Sequence, residues 1–139
     1  MTAIPYQATG VAIRGRGVLI EGPPGTGKSS LALALIDRGA TLIGDDGVLL
    51  ELRGGCPWAL PPPRIAGMIE IRNVGLVTLP AEAAPVTLVV RLDSGAERLP
   101  ERPERVQLAG AEVPLVRLYP DASVLALRAE WALTLHGTR

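Results

Sequence analysis

Residues 22–29 read Gly22-Pro23-Pro24-Gly25-Thr26-Gly27-Lys28-Ser29, a full match to G-x-x-x-x-G-K-[ST], the loop that cradles phosphates. Its flanks agree with that reading. Gly17-Val18-Leu19-Ile20 leads in as an apolar strand, Ser29 to Arg38 leads out as a helix, and Gly39 supplies a C-terminal stop. Glycines allow the tight turn in which successive N–H groups face one anion, and the helix that follows presents the positive end of its dipole. Lys28 is the only lysine in the chain. Its compact ammonium suits the β- and γ-phosphates in a way that the broad arginine fork does not. A composition rich in Ala, Gly, Pro and Arg explains why other lysines are missing, but not why the remaining one stands here. In such loops the serine hydroxyl at the Ser29 position ligates Mg²⁺. The motif predicts nucleotide or polyphosphate binding by residues 22–29 together with Ser30.

Composition narrows the function classes. A chain of 139 residues, 47% hydrophobic, is expected to form one domain with a real core, residues 1–139, and is not disordered. No apolar run approaches the ~20 residues that span a bilayer, and Met1-Thr2-Ala3-Ile4-Pro5-Tyr6 has neither the basic start nor the apolar stretch of a signal peptide. The single cysteine, Cys56, has no internal disulfide partner and no nearby ligand residue, which fits a reducing cytoplasm. Fourteen basic and 14 acidic residues cancel, which argues against a nucleic-acid footprint while leaving room for a small basic patch facing an acidic protein. The aromatics are Tyr6, Trp58, Tyr119 and Trp131, too few for a base-stacking platform; an adenine would be held by aliphatic groups and backbone.

The rest of the chain alternates short strands with turns. Strands are expected over Tyr6–Ile13 and Arg16–Glu21, joined by a hairpin at Arg14-Gly15-Arg16-Gly17, then over Thr41–Ile43 and Val48–Leu52, closed by Gly54-Gly55. Trp58 to Pro63 reads as a proline-rich loop. Met68–Arg72 alternates as a strand that Gly75–Leu79 continues after a bend, and Ala84–Leu92 is a strong strand. Arg105–Leu108 and Glu112–Leu118 form a hairpin across Ala109-Gly110-Ala111. The helix Ser29–Arg38 is apolar almost all round and is expected to be well buried. A last helix runs from Ala122 to about Leu135, capped by Asp121, with Val124, Leu127, Trp131 and Leu135 as its apolar stripe. The pattern predicts an α/β or α+β domain with an extensive sheet.

Asp45-Asp46 follows one short strand after the predicted P-loop helix. If that strand lies beside the P-loop strand, its C-terminal end opens on the phosphate side. One carboxylate then meets the metal or the lysine and the other serves as a base; the plainer reading is an Asp-Asp-Gly turn. Glu70 lies among apolar residues and reads either as a carboxylate needing a metal or partner or as a solvent-facing strand residue. His136, the only histidine, is expected at the frayed surface, and no Ser-His-Asp or zinc set can be assembled.

Together these residues resemble the catalytic domain of the HPr kinase/phosphorylase family. The resemblance runs through Gly15-Arg16-Gly17-Val18-Leu19-Ile20, the phosphate loop, Leu35-Ile36-Asp37-Arg38-Gly39-Ala40 and Asp45-Asp46. It continues in Ile65-Ala66-Gly67-Met68-Ile69-Glu70-Ile71-Arg72-Asn73-Val74-Gly75-Leu76, with weaker matches at Glu97-Arg98-Leu99 and Val113-Pro114. It implies a P-loop mixed-sheet domain of the phosphoenolpyruvate carboxykinase-like type, in a short stand-alone form, assembled as a homo-oligomer, often a hexamer. It also implies a cytoplasmic protein serine kinase that uses ATP and Mg²⁺ and acts on an HPr-like phosphocarrier of a phosphotransferase system. Lys28 would hold the β/γ-phosphates, Ser29 and Glu70 the Mg²⁺. Asp46 would be the general base, Asp45 would support the metal or lysine, and Arg98 would assist transfer.

Three positions depart from the family pattern. Gln7 stands where the family has a histidine, and an amide takes up no proton. Asn73 replaces a glycine, a mild change because asparagine tolerates left-handed backbone. The late arginine-bearing loop tied to dephosphorylation is reduced to Tyr119-Pro120-Asp121-Ala122-Ser123. Kinase activity is therefore expected to exceed phosphorylase activity greatly. The alternative expectations are a nucleotide-binding regulatory module with weakened catalysis and a small-molecule kinase of the same fold.

Overall fold

The computed structural model describes residues 3–121 and 123–139. In chain order the strands and helices are β1 (Ile4–Tyr6), β2 (Thr9–Ile13), β3 (Arg16–Glu21), α1 (Lys28–Asp37), β4 (Thr41–Gly44), β5 (Val48–Arg53) and β6 (Cys56–Leu60). After a 3-10 turn at Pro63–Ile65 come β7 (Met68–Ile71), β8 (Gly75–Thr78), β9 (Ala84–Leu92), β10 (Glu104–Leu108), β11 (Ala111–Leu118) and α2 (Leu125–His136). The expected α/β class with an extensive mixed sheet is what the chain forms.

Two-residue turns set much of the register. Ile13 pairs with Arg16 across Arg14 (φ 49°) and Gly15 (φ 79°), and Leu108 pairs with Ala111 across Ala109 (φ 51°) and Gly110 (φ 85°). Arg53 pairs with Cys56 across Gly54-Gly55 in the same way. Positive φ at both central residues is the geometry whose twist matches antiparallel strands. The resulting nine-stranded sheet runs β1-β5-β6-β9-β3-β2-β4, with β11 beside the far half of β9 and β10 outside β11. Strands β3, β9 and β11 are parallel, so all three end on the side where the phosphate loop begins.

Alternation along the central strands sends side chains to two cores. Val18, Ile20, Leu88, Val90 and Leu92 face the helices, together with Leu31 and Leu35 of α1 and Leu125, Ala129 and Leu133 of α2. Leu19 and Val89 face the other way, against Ile43, Leu50, Leu108 and Leu115, and Val86 joins them because the β3–β9 register shifts by one residue at Thr87. At Gly17 a Cβ would stand 2.7 Å from the Pro85 carbonyl oxygen, so glycine allows β3 and β9 to approach at their start.

Several expectations change in three dimensions. The strand expected over 6–13 is broken at Gln7–Ala8, because β1 pairs with β5 while β2 pairs with β3 and β4. Of the proline-rich loop expected over Trp58–Pro63, residues 58–60 instead belong to strand β6, which pairs with both β5 and β9, while the three consecutive prolines 61–63 follow its end. Residues 75–78 do not extend β7 but fold back on it, because Asn73 (φ 68°) and Gly75 (φ 140°) reverse the chain. Helix α1 buries Leu31, Ala32 and Leu35 but leaves Ala34 exposed.

Helix α2 differs most. The stripe Val124, Leu127, Trp131 and Leu135 lies outside, with Trp131 64% and Leu135 71% exposed, while Leu125, Ala129, Ala132 and Leu133 are buried. Small alanines let the helix sit close to the sheet, which the bulky stripe does not. Asp121 does not cap α2: its carboxylate accepts hydrogen bonds from the N–H and hydroxyl of Ser123, and Val124 is the N-cap. The expected start at Ala122 lies outside the described residues. His136 is the last residue of α2 and half-buried, not frayed.

Candidate nucleotide and phosphoryl-transfer site

Strand β3 delivers the chain to Gly22, and α1 begins at Lys28. Between them Gly25 (φ 81°) and Gly27 (φ 96°) take left-handed conformations that a side chain disfavours. Thr26 braces the turn by donating its hydroxyl (2.7 Å) and its N–H (3.3 Å) to the Pro23 carbonyl. The Lys28 ammonium folds back over the loop and donates to the carbonyls of Gly22 (2.9 Å) and Pro23 (3.2 Å). The loop thus holds its one ammonium at the mouth of the helix N-terminus, where a polyphosphate would be received.

The acidic pair reaches this loop by a route different from the expected one. Strand β4 is not next to β3; β2 lies between them, antiparallel to both. Two antiparallel pairings leave β4 running with β3, so its end still opens on the phosphate side. Gly44 closes the turn there, because a Cβ at that position would run into the Gly47 carbonyl. Asp45 is the hub of the site. Its Oδ1 accepts from the Ser29 hydroxyl at 2.6 Å and from the Thr9 hydroxyl at 3.5 Å, and its Oδ2 accepts from the Glu70 N–H at 3.2 Å. Asp46 sits in a left-handed conformation (φ 60°), its N–H donating to Thr9 Oγ1 at 3.3 Å, and its side chain is exposed.

One cavity of about 430 Å³ gathers Gly25, Gly27, Lys28, Ser29 and Ser30 of the loop with Asp45, Asp46 and Glu70. Glu70 is an exposed strand residue, as one of its two readings had it, yet it lines this cavity because Ile69 beside it is buried. Pro24 also lines it, while Gly22 and Pro23 supply the carbonyls that Lys28 contacts. Arg98 stands apart: it is exposed on the segment between β9 and β10 and lines a different cavity, with Trp131 and Leu135.

Sequence reasoning passed over five residues of this region. Thr9 binds both aspartates, and its only sequence signal is a buried hydroxyl in an apolar strand. Arg72 lines the cavity from just beyond β7. Under the loop, the Tyr6 hydroxyl donates to Glu21, whose other oxygen accepts from Arg91 at 2.7 and 3.2 Å. Burial first, then the bond to Glu21, pushes the Tyr6 hydroxyl above the ordinary tyrosine range. A charged residue closing the strand before the loop, Glu21, was the available signal.

The donor set fits a hard divalent cation. The Ser29 hydroxyl and Asp45 carboxylate converge at 2.6 Å, and the Glu70 carboxylate shares their cavity. Mg²⁺ takes one or two carboxylates plus phosphate oxygens and water, rather than a full protein cage. No group of three metal-ligating His, Cys, Asp or Glu side chains occurs among the described residues.

Comparisons with known proteins identify the family and the fold. The profile of the HPr Serine kinase C-terminal domain matches residues 3–120. The HPr kinase/phosphorylase of Streptococcus thermophilus is 33% identical over 122 residues, covering 78% of this chain and 40% of that protein. The HPr kinase/phosphorylase of Chlorobium limicola is 36% identical over 140 residues, covering 88% of this chain and 42% of that protein. The chain spans about two fifths of the length of the curated relatives it matches. The solved structure of the HPr(Ser) kinase/phosphatase from Coxiella burnetii superposes with a TM-score of 0.81 at 28% identity, over 94% of this chain and 93% of that one. The fold is accordingly the phosphoenolpyruvate carboxykinase-like P-loop fold. With a phosphate loop facing an acidic pair, and a family profile covering most of its length, the chain belongs to the HPr serine kinase C-terminal domain family.

Proposed function

We propose that this chain is a protein serine kinase that transfers the γ-phosphoryl group of ATP, with Mg²⁺, to a serine of an HPr-like phosphocarrier. The observation that carries the reading is one cavity shared by Lys28 and Ser29 of the phosphate loop and by Asp45, Asp46 and Glu70. The loop N–H groups and Lys28 bind the β/γ-phosphates, Lys28 exchanging its carbonyl partners for phosphate oxygens. Ser29, Asp45 and Glu70 would hold Mg²⁺, which neutralises charge on the phosphates when bound. Asp46, exposed and held only through its backbone, is free to take the proton from an incoming serine hydroxyl as that oxygen attacks. Thr9 fixes the two aspartates relative to each other, so that only one is committed to Ser29. Arg98 assists transfer after a rearrangement of its segment or from a neighbouring copy in a homo-oligomer, with a hexamer as the family form. The setting is cytoplasmic.

Gln7 lines the same cavity. An amide in that place supplies no proton for a reverse reaction, so forward transfer greatly exceeds phosphorolysis of the phosphoserine. The test is mass spectrometry of a purified HPr-like protein after incubation with this chain and Mg·ATP. Phosphoserine is expected. ATP binding without transfer to any HPr-like protein would favour a regulatory nucleotide-binding module instead. Phosphate-dependent loss of phosphoserine at the forward rate would refute the directional part.

A further inference from the structure

A second cavity adjoins the phosphate cavity at the loop. Gly27 and Ser30, which line the phosphate cavity, also line this one, of about 350 Å³, between α1 and the start of α2. That volume is within the range of small-molecule sites, about 300–1,000 Å³. One wall is α1, with Leu31 and the exposed Ala34; the other is Pro120 and Val124 to Leu127. Thr26 stands at the loop end. The far end is closed by Arg38, whose Nε donates to both carboxylate oxygens of Glu130 at 2.9 and 3.0 Å.

The two adjoining cavities differ in chemistry. The first holds Lys28, Asp45, Asp46 and Glu70; the second has aliphatic walls and one charged side chain, Arg38, which is already paired. A nucleoside triphosphate has the same distribution along its length, a polyanion at one end and a flat, weakly polar base at the other. We propose that the cavity between α1 and α2 takes the base and ribose of the nucleotide whose phosphates occupy the loop. The inference rests on the reading of residues 22–30 as a phosphate site. Ser30, common to both cavities, falls at the junction between triphosphate and nucleoside. The base is held between aliphatic side chains of two helices, without stacking, because no aromatic residue lines the cavity.

The experiment is calorimetric titration of the whole chain with Mg·ATP and with Mg·tripolyphosphate, which has the phosphates and no nucleoside. Wild type is expected to bind ATP at least about tenfold more tightly than tripolyphosphate, since the nucleoside buries apolar surface. Ala34→Trp fills the cavity from an exposed position, so the fold is kept, as a melting curve verifies. It should erase the ATP advantage and leave tripolyphosphate affinity unchanged, whereas Ala34→Ser should preserve both. The proposal is overturned if Ala34→Trp keeps the ATP advantage, or if wild type binds both ligands equally well. If wild type binds neither ligand, the phosphate-loop reading fails and this inference falls with it.

Discussion

At the scale of single residues, the site divides ground-state binding from proton transfer. Among the described residues the Lys28 ammonium hydrogen-bonds only to loop carbonyls, so removing it costs the fold little. Lys28→Ala should melt near the wild-type temperature yet lose ATP affinity in calorimetry, and Lys28→Arg should not restore it, because the planar fork does not fit the loop. Wild-type ATP affinity in either variant would refute the phosphate-loop assignment. Asp46→Asn should lower kcat by about 100- to 10,000-fold with nearly unchanged nucleotide affinity, the signature of a group that acts in the transition state. Asp45→Asn and Glu70→Gln should instead raise the Mg²⁺ concentration needed for half-maximal activity. Equal loss of nucleotide binding in the Asp46 and Glu70 variants would show that these roles are not separate. Tyr6 adds a pH dependence. Its folded-state pKa is raised by burial and by Glu21, so its contribution to stability is fully present below the ordinary tyrosine value of about 10 and is lost as pH rises beyond it. Ultraviolet titration of the tyrosinate band should show one equivalent that ionises late, and Tyr6→Phe should remove it; a wild-type titration with no late equivalent would contradict this.

At the scale of elements, the seam between β3 and β9 holds the loop in place. A methyl group at Gly17 meets the backbone carbonyl of Pro85 rather than a flexible side chain, so the strand must shift. Gly17→Ala should destabilise by about 1–3 kcal/mol, the cost of overpacking a tight contact. The melting temperature should fall accordingly, and an unchanged value would show that the seam yields. The other end of the sheet carries a partly exposed ion-pair cluster, in which Arg117 bridges Asp93 (2.9 Å) and Glu104 (2.6 Å). The Gly95 N–H and then Arg117 hold the Asp93 carboxyl below its ordinary range, and Arg117 does the same for Glu104. Both folded-state values are lowered, so this stabilisation is present above about pH 4 and is lost as pH falls below it. Because Glu104 is exposed and Asp93 and Arg117 are half-exposed, solvent screens the pairs and the effect is small. Hydrogen exchange should show β10 loosening in acid, and in Arg117→Gln that acid dependence should disappear.

At the scale of the whole molecule, α2 turns its bulkiest apolar side chains outward. Trp131, Leu135, Leu127 and Val124 form one exposed stripe, with Leu99 and Tyr119 also exposed. A contiguous apolar patch of this kind marks an interaction surface, and it fits the homo-oligomer proposed above. Light scattering should give a mass well above that of one chain, and Trp131→Glu should reduce it without unfolding the protein. A wild-type mass of one chain would remove this support for a contribution from a neighbouring copy.

The phosphate loop, the places of the hairpin turns and the apolar central strands were legible in the sequence because each is decided by contiguous residues. Glycines that permit left-handed backbone, a lysine at a set spacing and the two-residue period of a strand act over a few bonds. The acidic pair was legible as a candidate for the same reason, and so was its side of the sheet, since chain direction survives an intervening strand. What the tertiary structure alone decided involves residues far apart in the chain. Thr9, Ser29, Asp45 and Glu70 meet through four segments, so no local pattern marked Thr9. The buried face of α2 was misjudged because periodicity weighs size and hydrophobicity. Packing chose the alanines instead, whose small side chains allow the backbone close to the sheet. The position of Arg98 and the cavity between α1 and α2 follow from that docking. No spacing along the chain encodes it, because it is the arrangement of whole elements around two cores that brings those walls together.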